Sequence, residues 1–338
     1  MKIGIIGCGA ITCFRHAPEC ESNPDIEIAG FFDLVESRSG ELAQKYGGRV
    51  YKTYEDMLND KDVDGVIVCT SNSTHAEVTI KSLKAGKHVL CEKPLATTIE
   101  DGIAMDKAAK DADRLLMIAQ NQRMDAAHIK AKEIISSGVL GNVISFRSEF
   151  SHSGPENWGV DKSKNNWFFN KNTAILGAMG DLGVHKIDLM RWMLEEEFLN
   201  VSAIVGSYDK KDADGRPISV DDNAICLLTT KSGIVGTVTA SWSNYGFVDN
   251  STKIYCANGV IRINETLQNG VEVVWKNGEN VLYKLPVQTR SGIVDAFADA
   301  VANGKASPIS AGDAVKTLRV IFAALKASES GNRVSIEY

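Results

Sequence analysis

Three sets of residues in this chain have the types and spacing to do chemistry. Asp181 and His185 stand four apart in Gly180-Asp181-Leu182-Gly183-Val184-His185. On a helix such a pair faces one side, and a neutral imidazole beside a carboxylate is a proton acceptor near pH 7. Lys93 sits between Glu92 and Pro94, just after the apolar run His88–Cys91. That run reads as a buried parallel strand, whose carboxyl end faces the crevice where such sheets bind ligands. Gly7-Cys8-Gly9-Ala10-Ile11-Thr12 follows another apolar run. The first glycine permits a tight turn, the second lets the backbone approach a pyrophosphate, and Ala10 and Ile11 open the following helix. Threonine stands where the third glycine of this pattern is usual. Each set also has a plainer reading: a solvated lysine, a buried histidine bonded to an acid, a simple turn. Their occurrence together in one chain decides for chemistry.

The elements that must position these residues follow from periodicity. Strands over residues 2–6, 26–32, 65–69, 88–91 and 115–119 alternate with helices over 10–20, 36–46, 74–84 and 99–111. Alternation of this kind predicts an α/β doubly wound parallel sheet over residues 1–121. The second strand ends at Asp33, about twenty residues past the glycine turn, where an acid meets the ribose hydroxyls of a dinucleotide. A carboxylate there repels a 2′-phosphate and favours NAD over NADP, while nearby Arg38 softens that preference. In the loop Thr70 to His75, Thr74 or Ser73 is expected to cap the next helix, and His75 alone reads as a packed first-turn residue.

After Gln122 the pattern changes. A helix over 126–136 leads into strands over 143–150, 201–206, 223–229 and 234–242, with four more up to residue 285. Short turns such as Asn258-Gly259 and Asn277-Gly278 imply a large, mostly antiparallel sheet, in a second domain over residues 122–338. Val235, Thr237, Thr239 and Ser241 share one face by period two. Helices over 293–302 and 311–328 close the chain, with Ser310 as the N-cap of the last. So few helices leave the second face of the sheet to another subunit, giving a homodimer or homotetramer.

The composition fits this picture. Of 338 residues, 44% are hydrophobic and 24% charged, with a net charge of −6, which gives no footprint for nucleic acid or anionic membrane. No signal peptide or membrane-length apolar run is seen, and the seven cysteines are odd in number without a C-x-x-C pair, so reduced thiols in the cytoplasm are expected. The six histidines lack ligand spacing, and no metal is expected.

Gly7-x-Gly9, the block Ala85-Gly-Lys-His-Val-Leu-Cys-Glu92-Lys93-Pro94, and Asp181-Leu-Gly-Val-His185-Lys-Ile-Asp188 stand in this order. Together they resemble the glucose–fructose oxidoreductase / inositol dehydrogenase / rhizopine catabolism (Gfo/Idh/MocA) family over nearly the whole chain. The resemblance implies an N-terminal Rossmann domain and a C-terminal α/β domain with a large open sheet used for subunit contacts. It places Lys93, Asp181 and His185 on catalytic positions, and Thr70, Asn72, His75 and Glu92 beside the nicotinamide half of the cofactor. It puts Arg123 near the active site and makes the Lys93–Pro94 bond cis.

The expected activity is reversible NAD(P)-dependent oxidation of a secondary hydroxyl on a sugar or cyclic polyol. His185 accepts the proton, Lys93 stabilises the oxygen, and Asp181 orients His185 and binds a neighbouring hydroxyl. His152, Trp158, Asn165, Asn166 and Trp167 suit a carbohydrate, or else form a loop pinned by two aromatic anchors. Two other functions fit the same scaffold: a glycosidase using NAD for transient ring oxidation, and a non-enzymatic NAD(P)- or sugar-sensing regulator.

Overall fold

The computed structural model describes residues 1–160, 162–164, 166–265 and 270–338. Six short apolar strands build the first sheet: β1 (Lys2–Ile6), β2 (Glu27–Phe32), β3 (Arg49–Val50), β4 (Gly65–Val68), β5 (His88–Cys91) and β6 (Leu116–Ile118). They lie parallel in the order β3-β2-β1-β4-β5-β6. The order reverses between β1 and β4, so the loops after these two strands open the crevice typical of a Rossmann fold. β3 and the helix Tyr54–Asn59 escape the sequence pattern because they are very short. The helix is nevertheless capped, Thr53 Oγ1 accepting the Asp56 N–H at 3.0 Å.

The second sheet has nine strands: β7 (Val143–Ser151), β8 (Phe198–Gly206), β9 (Asn223–Thr230), β10 (Val235–Ser241), β11 (Thr252–Cys256), β12 (Gly259–Ile263), β13 (Gly270–Trp275), β14 (Asn280–Lys284) and β15 (Val334–Ser335). Their order is β14-β13-β12-β11-β7-β10-β9-β8-β15, antiparallel except where β10 runs parallel to β7. In β10, Gly236, Val238 and Ala240 are buried, while Val235, Thr237, Thr239 and Ser241 face outward, as period two requires. The helices Ala126–Ser136, Val184–Leu194 and Ala311–Ser330 cover the inner face.

The chain then returns to where it began. The Ile118 N–H donates to the Ile309 carbonyl at 3.0 Å and Met117 bridges Ser310, so the free edge of β6 is closed by the approach to the last helix. Ser310 caps that helix as expected, accepting the Asp313 N–H. The buried apolar residues of both layers form one continuous cluster, and the cleft lies between the sheets. Among the described residues no helix is long and apolar enough to cross a membrane. All seven cysteines are free.

Candidate active site

The dinucleotide side of the cleft is built on the loop after β1. Gly7 has φ +97°, and a Cβ there would run into the Cys69 carbonyl, so this position needs glycine. Thr12 is fully buried, and its hydroxyl donates to the Gly7 carbonyl at 2.6 Å. The threonine thus closes the turn with a hydrogen bond where a third glycine would have closed it by contact. Gly9, Ala10 and Ile11 line the cleft at the amino end of a helix, a setting that favours an anion. Asp33 is fixed there too, accepting the Cys8 N–H at 2.7 Å and the Val35 N–H at 2.8 Å. Arg38 lines the same space.

The loop after β4 supplies the opposite lip. Thr70 Oγ1 is buried without a hydrogen-bond partner, while the residue lines the cleft, the condition of a group awaiting a ligand or water. Asn72 Nδ2 donates to the Ala174 carbonyl at 3.0 Å, tying this loop to the second half of the chain. His75 braces two carbonyls, Pro94 at 2.9 Å and Thr70 at 3.1 Å. The neutral ring has one N–H and donates to one of the two, and the residue also lines the cleft. Neither Ser73 nor Thr74 caps the helix His75–Lys84. Thr74 instead donates to the Ser71 carbonyl at 2.9 Å, because a 3₁₀ turn over Asn72–Thr74 already leads into the helix.

At the carboxyl end of β5, Glu92 is buried against His16, whose Nε2 lies 2.7 Å from Oε1. Burial alone would raise the Glu92 pKa, but the His16 bond and the nearby cations outweigh it and hold it at about 2. Next comes Lys93, in a cis peptide with Pro94. Its ammonium donates to Asp181 Oδ1 at 2.8 Å and to the Asp181 carbonyl at 2.9 Å. The two side chains keep only 15% and 8% of their surface exposed. Burial opposes the Asp181 charge, yet the Lys93 ammonium prevails and keeps its pKa below the ordinary carboxylate value.

The Asp181–His185 pair is not made as the spacing predicts. Residues Met179–Gly183 form a π turn ahead of the α-helix Val184–Leu194. Its extra residue per turn offsets the side chains that an α-helix would align. Asp181 is therefore committed to Lys93, to the Trp242 indole N–H at 3.1 Å, and to His152 Nε2 at 3.8 Å. His185 lines the cleft with Nδ1 buried and unpartnered, which leaves Nε2 as the nitrogen facing the ligand space. Burial, reinforced by the Lys93 charge, pushes its pKa well below the ordinary imidazole value, so the ring is neutral at pH 7. The His152 tautomer is also set. Nδ1 accepts the Gly154 N–H at 3.0 Å, which places the proton on Nε2, toward Asp181.

The remaining wall is aromatic. Trp158 meets Phe168 edge-on at 5.2 Å and His152 at 6.2 Å, and Trp167 stacks on Phe168 at 3.8 Å. Trp158, Asn166 and Trp167 line the cleft, so the aromatic residues anchor the loop and face the ligand space at once. Asn165 lies outside the described residues. Arg123 stands apart from this wall. It is buried and forms a bidentate pair with Asp188, both bonds at 2.6 Å, and a further bond to Asp313. Its guanidinium is used up in holding the helix Val184–Leu194 to the last helix, and it does not contact the cleft. His16, Trp242 and the doublet Asp221-Asp222 take part in the site without a local motif that announces them.

The whole cleft measures about 1240 Å³. That is more than the roughly 300–1,000 Å³ of a single small-molecule pocket, and leaves room for a dinucleotide and a second ligand.

Comparison with known proteins agrees with this layout. A family model described as "Oxidoreductase family, NAD-binding Rossmann fold" matches residues 1–120, and one described as "GFO/IDH/MocA C-terminal domain" matches residues 128–262. Myo-inositol 2-dehydrogenase of Thermotoga maritima is 29% identical over 345 residues, covering 100% of this chain and 99% of that protein. Levoglucosan dehydrogenase of Pseudarthrobacter phenanthrenivorans is 31% identical over 261 residues, covering 71% of this chain but only 66% of that protein. A solved levoglucosan dehydrogenase in complex with NADH and levoglucosan superimposes with a TM-score of 0.89 over 100% of both chains, at 24% identity.

Proposed function

Because the chain belongs to the GFO/IDH/MocA oxidoreductase family, we propose that it oxidises a secondary hydroxyl of a sugar or cyclic polyol reversibly, with NAD as its dinucleotide. The observation that carries this reading is the meeting of the Lys93 ammonium, the Asp181 carboxylate and the neutral His185 in one cleft. The Gly7 turn, Ala10, Ile11, Asp33, Arg38, the unpartnered Thr70 hydroxyl, Asn72 and Glu92 are suited to holding the dinucleotide. When bound, NAD supplies the hydride acceptor. His185 Nε2 takes the hydroxyl proton, and Lys93 stabilises the negative charge growing on that oxygen. Asp181 fixes Lys93 in place instead of orienting His185. His152, Trp158 and Trp167 face the ring of the substrate.

The test is a spectrophotometric screen of inositols, hexoses, anhydro, deoxy and amino sugars with NAD and NADP side by side. Net accumulation of reduced dinucleotide from a free sugar is expected. It separates this reading from a glycosidase that returns its hydride within each cycle and from a sensor that turns nothing over. Silence across the panel would sink the reading.

Three further outcomes belong here. NAD should exceed NADP in kcat/KM by about tenfold or more, since Asp33 is held by two amides and cannot swing away from a 2′-phosphate. Asp33→Ser should narrow that gap, and an unchanged ratio would refute the assignment. The acid limb of kcat/KM for oxidation should fall below pH 6.5, because burial and Lys93 lower the His185 pKa and keep it an acceptor in more acidic solution. A limb above that value would point to another base. Finally, the outward face of β8 to β10 exposes Ile204, Ile225, Leu227 and Val235, a face suited to a second copy of the chain. Leu227→Lys should lower the mass seen by analytical ultracentrifugation, and a monomeric wild type would remove the idea.

A further inference from the structure

Two adjacent aspartates just before β9 each gather a different wall of the cleft. Asp221 faces the catalytic turn. Its Oδ1 accepts the Gly177 N–H at 2.8 Å and its Oδ2 accepts the Met179 N–H at 2.6 Å. Its main-chain carbonyl takes the amide between them, from Ala178, at 2.9 Å. Three consecutive amides thus end on one residue. The approach is so close that a Cβ on Gly177 would collide with the Asp221 backbone. From that clamp the chain runs directly into the π turn, the Asp181 N–H donating to the Gly177 carbonyl at 2.9 Å, and then to His185.

Asp222 faces the other way. Its carboxylate accepts the N–H groups of Tyr208 at 2.9 Å, Asp209 at 2.8 Å and Lys210 at 2.6 Å. The Lys210 ammonium in turn donates to the Ser153 carbonyl and to Glu156 Oε1, both at 2.6 Å, and to the Tyr245 hydroxyl at 3.1 Å. Ser153 and Glu156 belong to the loop that carries His152 and Trp158. The Asp222 carbonyl also accepts the Trp242 N–H at 2.8 Å, while the Trp242 indole donates to Asp181. The two arms therefore meet again at the catalytic carboxylate.

We propose that Asp221 and Asp222 are positioning residues that set the two walls of the cleft separately, Asp221 placing Asp181 and His185, and Asp222, through Lys210, placing the substrate loop. Both carboxylates are buried, and among the described residues neither forms an ion pair. Backbone amides, joined at Asp222 by the Asn223 side-chain amide at 2.9 Å, balance two neighbouring charges, an arrangement that works only while every donor stays in place. Burial and the charge of Asp222 raise the Asp221 pKa to about 6, so Asp221 is still ionised at neutral pH and binds its amides as an acceptor.

This inference rests on the dehydrogenase reading for its kinetics, and its test keeps the two apart. With a sugar found by the screen, Asp221→Asn should lower kcat by roughly tenfold or more and leave the sugar KM within about threefold. Asp222→Asn and Lys210→Met should do the reverse, raising the sugar KM roughly tenfold with kcat little changed. A merely structural role would reduce the active fraction and leave the sugar KM alone, so kcat is taken per NAD-binding site counted by titration, and an Asp221→Asn loss that vanishes on that basis would overturn the Asp221 arm. Equal falls in kcat for all three variants, with no split, would overturn the proposal while wild-type turnover still upheld the dehydrogenase reading. Amide hydrogen exchange of the wild-type protein needs neither a sugar nor a variant. The amides of Gly177, Met179, Asp209 and Lys210 should exchange as slowly as those of β4, and rapid exchange at either pair would overturn the corresponding arm.

Discussion

Lys93→Met should lower kcat by about 10²–10³-fold, while NAD affinity measured by titration should move by less than about tenfold. The magnitude is that of removing one pre-aimed donor from a developing oxyanion, and Lys93 is pre-aimed by two bonds to Asp181. The loss has a second part. Asp181 is buried, and Lys93 is the largest influence keeping it ionised. Without the ammonium the carboxylate retains the Trp242 N–H and the more distant His152, so less opposes its burial and its pKa should rise. Asp181→Asn should therefore cost less when added to Lys93→Met than when made alone, a non-additivity expected of groups acting as one unit. A Lys93→Met enzyme within a few-fold of wild type would remove the ammonium from the mechanism.

Arg123→Met should destabilise the fold by about 3–5 kcal/mol, the cost of stranding a buried carboxylate by removing its partner. Asp188 is that carboxylate. Burial already holds its pKa above the ordinary value with Arg123 present. The folded state thus binds a proton more readily than the unfolded chain, and stability on this account falls as pH rises through the folded value. Losing Arg123 lifts that value further, so the deficit should be largest at pH 8 and shrink toward pH 5. Thermal or denaturant unfolding at the two pH values measures it. Arg123→Met combined with Asp188→Leu should recover much of the loss, because no charge is then left unpaired. An unchanged midpoint in the single variant would show that the pair carries no weight.

What the sequence disclosed and what it withheld divide along physical lines. The parallel sheet of residues 2–118 was legible because each buried strand is a short apolar run and each intervening helix is amphipathic. Lys93, Asp181 and His185 were legible as separate candidates from their spacing, and the family resemblance implied that they share one site. Their mutual bonds were not legible. A π turn leaves no mark in hydrophobic periodicity, so the Asp181–His185 contact read from i, i+4 spacing gave way to Asp181–Lys93. Arg123 was drawn to the active site by the family resemblance, yet its partners Asp188 and Asp313 lie 65 and 190 residues further on. No local pattern encodes such a pairing. Asp221 and Asp222 drew no reading from the sequence, because what distinguishes them is which distant amides they accept.

The strand stitched at Ile118 and Met117 by Ile309 and Ser310 makes the two lobes poor candidates for separate expression. A gene cut after the first sheet would yield a fragment whose outermost strand shows bare amides to water, an invitation to edge-to-edge aggregation. Shortening the chain from its far end would do the same damage from the other side. The last thirty or so residues are thus a fastening for the first lobe as much as a finish to the second.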